Sequence, residues 1–298
     1  MAHAQKRAER LSDTDCRAFL QWALPQLNLR WCGFRKVHRQ VCKRLKRRMN
    51  DLGVAGFAAY RTRLEADPAE WRFSTSAATS RFHDFSGRSV YSRFYAPRCC
   101  LTSPSALTER GALLGFGPLA APPARSRTRS RFFGIWRSRA LILGVPLSII
   151  ATDTDRAMLR RAGKACFAAG SLRELPPPLF NQAFDREDAL YCLKCQHREG
   201  VAFLHQDLRL DAPSGPFDLI LCRYVAFTYF SLPLQEQVLL RLRERLSPEG
   251  YLVIGGDERL PRDDPGLAPL AGAPQIFVRG SNLTSQFEDS ELKDQGTV

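Results

Sequence analysis

The chain has 298 residues and a hydrophobic content of 44%, enough for one large or two modest domains with a buried core. No stretch approaches the roughly 20 apolar residues that a bilayer-spanning helix needs, and no opening segment joins a charged start to a continuous apolar run, so no membrane insertion and a cytoplasmic location are expected. The formal charge of +14 invites a nucleic-acid reading, but +9 of it falls between residues 74 and 140, where eleven arginines meet only Asp84 and Glu109. That stretch lacks the regularly placed aromatics that stack on bases, which weighs against nucleic acid as a partner.

From Asp13 to Trp71 the sequence is helical in character. In "FRKVHRQVCKRLKRRMNDLG" the residues Phe34, Val37, Val41, Leu45 and Met49 recur at steps of three and four, while Arg35, Lys36, Arg39, Lys43, Arg44, Lys46, Arg47 and Arg48 crowd the other faces. Gly53 is a stop signal. The basic face reads either as a solvated surface or as a dock for an acidic partner. A second helix, "AGFAAYRTRLEADPAEW", follows, broken at Pro68.

Residues 74–140 show neither helical nor strand periodicity and are rich in Arg, Ser, Thr, Pro and Gly. At 67 residues this is far longer than connections inside compact domains. From Leu147 the pattern becomes α/β. "LSIIATDTD", "VAFLHQDLR", "PFDLILCR" and "YLVIGG" read as buried strands, "DRAMLRRAGKACF" as a helix, and "LPLQEQVLLRLRERLSPEG" as a long amphipathic helix ending at Gly250. Strands alternating with helices predict a parallel sheet covered on both faces, with ligands at the carboxyl ends of its strands. The tail after residue 280 is polar and is predicted to be disordered. The nine cysteines are odd in number and scattered, which predicts reduced thiols rather than a disulfide framework. Cys192 and Cys195, with His197 nearby, form a lone CxxC without a second pair at zinc-site spacing, so no metal centre is expected.

At "ATDTD", "SLRELPPPLF", "FDLILCR" and "LSPEGYLVIGGDE", taken with the basic N-terminal helix, the chain resembles the CheR-type family of S-adenosylmethionine-dependent methyltransferases, which esterify glutamates on bacterial chemoreceptors. The resemblance covers about residues 30–72 and 147–279. It implies a doubly wound, mainly parallel methyltransferase sheet of the class I type, preceded by a small all-helical domain at residues 1–72. The methyltransferase domain then occupies residues 147–280 and the tail 281–298. By the same resemblance Asp153, Asp207, Leu208, Arg223 and Tyr224 bind S-adenosyl-L-methionine and Tyr229 is the catalytic candidate. Asp153 and Asp155 compete for the ribose-binding role and the cap of the following helix. Tyr224 departs from the family, which has Asn after that Arg, and Tyr229 reads equally as a core tyrosine. The implied partner is an acidic protein such as a chemoreceptor signalling helix, docking at the basic helix of about residues 34–50.

Residues 73–146 depart from the family altogether. Members carry there a first strand followed by a glycine loop resembling WSAGCASGEEPYTL, whereas this chain reads "FGPLAAPPARSRTRS" from Phe116 to Ser130. One back-translation of that peptide, read from its third base, yields WSAGCASGEEPYTL. The same offset applied to "FSTSAATSRF" and the two residues after it permits LDVGCHVSISR, resembling the family's preceding LDxLCxxxISRFFR. This stretch is therefore expected to be a frameshifted replacement of the first strand and glycine loop, with activity impaired. The alternative is an inactive basic protein that binds an acidic protein or nucleic acid.

Overall fold

The computed structural model describes residues 12–71, the backbone of 111–116, and residues 147–172 and 177–280. The expected disorder of 281–298, the glycine-loop position, and the rest of the Arg/Ser/Pro segment lie outside the described residues.

The N-terminal region is helical, as its periodicity predicts. Helix α1 (Asp13–Gln26) starts at a capping box, in which Ser12 Oγ accepts from the Asp15 amide at 3.0 Å and the Asp15 carboxylate accepts from the Ser12 amide at 3.2 Å. A short turn, α2 (Trp31–Phe34), leads to α3 (His38–Asp51) and α4 (Gly56–Ala66). Val41, Leu45 and Met49 of α3 face inward, together with the preceding Phe34 and Val37, while Arg35, Lys36, Arg39, Lys43 and Arg47 stand in solvent. Gly53 follows α3 with φ 67°, a left-handed conformation that glycine adopts without steric cost and that ends the helix there.

Two disulfides overturn the expectation that all cysteines are reduced. Cys16 of α1 is bonded to Cys42 of α3, and Cys166 is bonded to Cys192. The helical stripes and the antiparallel register bring each pair together, a proximity that spacing along the chain does not reveal. Cys192 is thereby committed to Cys166 rather than to its CxxC neighbour Cys195, which is exposed and unbonded.

The second region is built on a seven-stranded sheet. Its strands are β1 (Gly111–Phe116), β2 (Leu147–Asp153), β6 (Val201–His205), β7 (Phe217–Cys222), β8 (Leu246–Val253), β9 (Leu267–Leu270) and β10 (Ala273–Arg279), in the order β6-β2-β1-β7-β8-β10-β9. The first five are parallel and β10 runs antiparallel to both β8 and β9. A strand therefore does occupy the central position where the sequence suggested none: Gly111–Phe116 pairs with β2 on one side and β7 on the other. The order reverses between β1 and β7, the place where open α/β sheets bind ligands.

Helix α5 (Arg156–Lys164) follows β2. A second sheet of three antiparallel strands follows, in the order β3 (Cys166–Ala168), β5 (Leu190–Leu193) and β4 (Phe184–Glu187), with the short helices α6 (Ala169–Leu172) and α7 (Pro177–Ala183) between β3 and β4 in the chain. Helix α8 (Ala226–Tyr229) and helix α9 (Leu232–Arg245) then follow β7. The long helix predicted to run to Gly250 stops at Arg245. Leu246 is already extended, and the ladder to β7 shifts register across "SPEG", where Glu249 takes φ 62°. The strand "VAFLH" was expected to be buried, but as β6 it lies at the sheet edge with Phe203 and Leu204 exposed.

One continuous apolar cluster joins the helical region to the sheet, running from Phe19, Leu20, Phe34 and Leu45 through Phe227, Leu239 and Leu252. Beneath the helices a polar knot closes the N-terminal region. Glu70, buried, accepts from Arg48 at 3.0 and 2.7 Å and from the Tyr60 hydroxyl at 2.7 Å. The Arg48 hydrogen bond, reinforced by Tyr60, holds the Glu70 carboxyl below its ordinary range against the opposing effect of burial. We expect Glu70→Ala to lose about 2–3 kcal/mol at neutral pH, because a buried hydroxyl and a guanidinium lose their shared acceptor. A group lowered in the folded state stabilises above its unfolded value, about 4.3, and loses that contribution as pH falls through the folded value. Urea denaturation should show the gap between wild type and variant shrinking as the pH is taken below 4.

Candidate functional site

Parallel register brings the chemistry-bearing residues to one edge. Phe116 lies level with Thr152 of β2 and Cys222 of β7, and Asp153 level with His205 of β6. The ends of β2, β6 and β7 carry Asp153, Asp207 with Leu208, and Arg223 with Tyr224, and all emerge at the carboxyl end of the sheet, those after β7 beside the reversal in strand order.

The two acids at the end of β2 differ in their bonds. Asp155 caps α5, its carboxylate accepting from the Ala157 amide at 2.8 Å. Asp153 is half-buried, and its Oδ1 accepts from the Asp155 amide at 2.8 Å, which fixes the carboxylate at the strand end. Asp207 is bound by a residue that sequence reading passed over. Arg209 reaches both carboxylate oxygens through Nε at 3.0 Å, and Nη2 reaches Oδ2 at 2.5 Å. The Leu208 side chain belongs to the core, and its carbonyl accepts from Arg241 at 2.8 Å.

Tyr224 is fixed by its surroundings. Its backbone is left-handed, with φ 54°, a conformation that costs a bulky residue about 1–3 kcal/mol and persists only where the surroundings impose it. Its hydroxyl accepts from the Gly256 amide at 3.1 Å, and the ring lies so close to Gly255 that a β-carbon there would meet Tyr224 Cε1 at 2.6 Å. The ring therefore packs on the loop after β8, and the Arg223 guanidinium sits 5.5 Å from its centroid.

Tyr229 ends α8 and is buried, its ring edge-on to Phe34 of the helical region at 5.1 Å. Burial, and secondarily the nearby Glu258 carboxylate, pushes its phenol up and keeps it neutral. The carbonyls of this short turn are held from the helical region. Arg30 donates to the Phe227 carbonyl at 2.5 Å and the Thr228 carbonyl at 3.1 Å, and its amide donates to the Tyr229 carbonyl at 2.9 Å. Gly33 is pressed against the Thr228 carbonyl, leaving no room for a side chain.

The residue that sequence reading missed most plainly is Glu258. It is buried, and its carboxylate accepts from the amides of Tyr224 (2.8 Å) and Gly255 (2.6 Å) and from the Thr228 hydroxyl (2.5 Å). Burial pushes its carboxyl up, and these bonds together with the charge of Arg223 oppose the rise. An acid closing the glycine turn of "YLVIGGDE", where an exposed loop is the ordinary expectation, was the available signal.

The sheet, five parallel strands continued by β10 antiparallel to both its neighbours, is of the class I S-adenosyl-L-methionine-dependent methyltransferase type. Residues 140–275 match the family described as CheR methyltransferase, SAM binding domain, and it is this part of the chain that is similar to that family. A chemotaxis protein methyltransferase from Listeria monocytogenes is 33% identical over 123 residues, spanning 41% of this chain and 47% of that protein. Chemotaxis protein methyltransferase 2 from Pseudomonas aeruginosa is 29% identical over 228 residues, spanning 73% of this chain and 77% of that protein. Among solved structures, the N-methyltransferase NodS from Bradyrhizobium japonicum aligns with a TM-score of 0.33 at 11% identity, over 57% of this chain and 86% of that one, a likeness too distant to carry an argument.

The contact between the two regions gives a direct test. Gly33→Ala should force the Thr228 carbonyl from its place and lower stability by about 1–3 kcal/mol, the usual cost of overpacking. Chemical denaturation of the two proteins measures it, and an unchanged midpoint would mean that the helical region does not hold the Thr228 turn.

Proposed function

We propose that the chain transfers a methyl group from S-adenosyl-L-methionine to glutamate carboxylates of a chemoreceptor-like protein, in the cytoplasm. The observation that carries this reading is Asp153, fixed at the end of β2, one strand from the reversal in order, level with the segment bearing Arg223 and Tyr224. A carboxylate in that place suits a ribose diol, since it accepts from both hydroxyls. Asp207 is engaged by Arg209, so in this reading its part toward the adenine falls to the backbone of Asp207 and Leu208. The cofactor supplies an electrophilic methyl group.

The acceptor needs little activation. A glutamate side chain, with an ordinary pKa of about 4.3, is already an anion at neutral pH, so no general base is required. The protein's work is to align the acceptor oxygen and to exclude water from it. Tyr229, kept neutral by burial, serves as a hydrogen-bond donor in this scheme rather than as a base. The exposed Arg35, Lys36, Arg39, Lys43 and Arg47 offer a basic face for an acidic receptor helix.

In this reading the chain works below the capacity of its relatives. The sequence after β1, "GPLAAPPARSRTRS", has prolines without N–H groups and long arginines where a glycine-rich turn would approach the cofactor. We attribute this to a lost base near codon 73 and a gained base near codons 140–147. Thermal unfolding with and without S-adenosyl-L-methionine tests both parts, because a ligand that binds only the folded state raises the midpoint. The chain as it stands should show a small shift, and a version with both bases repaired a larger one together with glutamate methylation. A repaired chain without a shift would overturn the frameshift account. Absence of a shift in both would overturn the cofactor reading. In the repaired chain, Tyr229→Phe keeps the ring against Phe34 and should lower kcat about tenfold or more if the hydroxyl touches the reacting groups. An unchanged kcat would return Tyr229 to the core.

A further inference from the structure

We propose that Glu258 is a positioning residue, whose buried carboxylate latches the segment from Arg223 to Thr228 against the loop after β8 and so shapes the wall on which the cofactor rests. The inference builds on the cofactor reading above, which places Arg223 and Tyr224 beside S-adenosyl-L-methionine.

Three observations converge on it. First, two amides from different loops, Tyr224 and Gly255, point at one oxygen of this carboxylate, and the Thr228 hydroxyl meets the other. One side chain thereby ties the exit of β7, the start of α8 and the exit of β8. Second, Tyr224 is held in left-handed backbone, a conformation that needs an outside constraint, and its amide is one of the two that Glu258 binds. Third, the arrangement leaves no slack. Gly255 has no room for a β-carbon because Glu258 Oε2 and the Tyr224 ring both stand 2.6 Å from where it would lie, and the Tyr224 hydroxyl is in turn held by the Gly256 amide. An acid that only filled space in the core would not collect donors from three separate points of the wall. Arg30 holds the same turn from its other side, through the carbonyls of Phe227 and Thr228, so the amides and hydroxyl answer to Glu258 and the carbonyls to Arg30.

The chemistry predicts which substitution is tolerated. In Glu258→Gln the amide oxygen can accept from both backbone amides while its NH2 donates to the Thr228 oxygen, so the latch survives. Glu258→Ala removes all three bonds. Amide hydrogen exchange on the full-length chain reads the latch directly. Glu258→Ala should speed exchange at Tyr224 and Gly255 about tenfold or more while α3 and α9 keep their protection, and Glu258→Gln should leave both sites slow. Unchanged exchange at these two amides, or acceleration spread evenly over β7, β8 and α9, would overturn the proposal, since the second pattern is that of a residue needed only for overall stability.

The link to the cofactor is read from the thermal shift given by S-adenosyl-L-methionine. Glu258→Gln should retain the wild-type shift and Glu258→Ala should lose it at temperatures where its own fold is intact. A full shift in Glu258→Ala despite a released Tyr224 amide would overturn the positioning role. If wild type and Glu258→Gln both lack any shift while the exchange pattern holds, the latch stands and the cofactor reading of this chain is what fails.

Discussion

The stretch from Arg223 to Phe230 is short of bonding partners of its own, because four helical residues supply only one turn of internal hydrogen bonds. It nevertheless carries Arg223, Tyr224 and Tyr229, three of the residues on which a methyl-transfer reading depends. What holds it is a pair of side chains on either side: Glu258 collects its donors, and Arg30 collects its acceptors. Both act out of bulk water, where a hydrogen bond is electrostatically stronger and an unmade one is costly. Apolar packing alone would not place a strained tyrosine, since it is indifferent to backbone direction.

This arrangement also explains why the helical region and the sheet share one core. Leu29 bridges to Phe230, Ser231 donates to Asn28, Phe34 meets the Tyr229 ring, and Gly33 admits the Thr228 carbonyl. The contact is polar at the backbone and apolar at the side chains, so the two regions cannot slide without breaking directional bonds. A partner that docked on the basic face of α3 would therefore pull on a body already joined to the Tyr229 turn.

The sequence made the periodic parts legible. The steps of Val41, Leu45 and Met49 gave a helix and its buried face, and the acids after "LSIIAT" marked a strand end. Pairings over distance were illegible, because hydrophobic period says which face is buried and not what it meets. The two disulfides, the Asp207–Arg209 pair and the Glu258 latch are all of that kind. The end of α9 was misread for a local reason: "SPEG" resembles a helix stop, yet Leu246 already pairs with Phe217, so the strand begins before the turn residues are reached. For Asp153 and Asp155 the sequence narrowed the choice to two, and a single amide bond each separated the cap from the strand-end acid.

The central strand shows why a strand and a loop differ in what they demand of sequence. A buried parallel strand needs backbone amides, little charge and no proline in its interior, and "GALLGF" meets all three. Its ladder with β2 and β7 is made of main chain, which any such peptide can supply. A cofactor loop is different, because each amide must face the ligand and each α-carbon must leave room for it, so identity matters at every step. A shift of reading frame between residues 73 and 146 would therefore spare the sheet, wherever the substituted peptide happened to be apolar, and remove the loop. Under such a shift stability and catalysis part company: the main-chain ladder closes the sheet at Gly111–Phe116, whereas a cofactor loop depends on the identity of each residue.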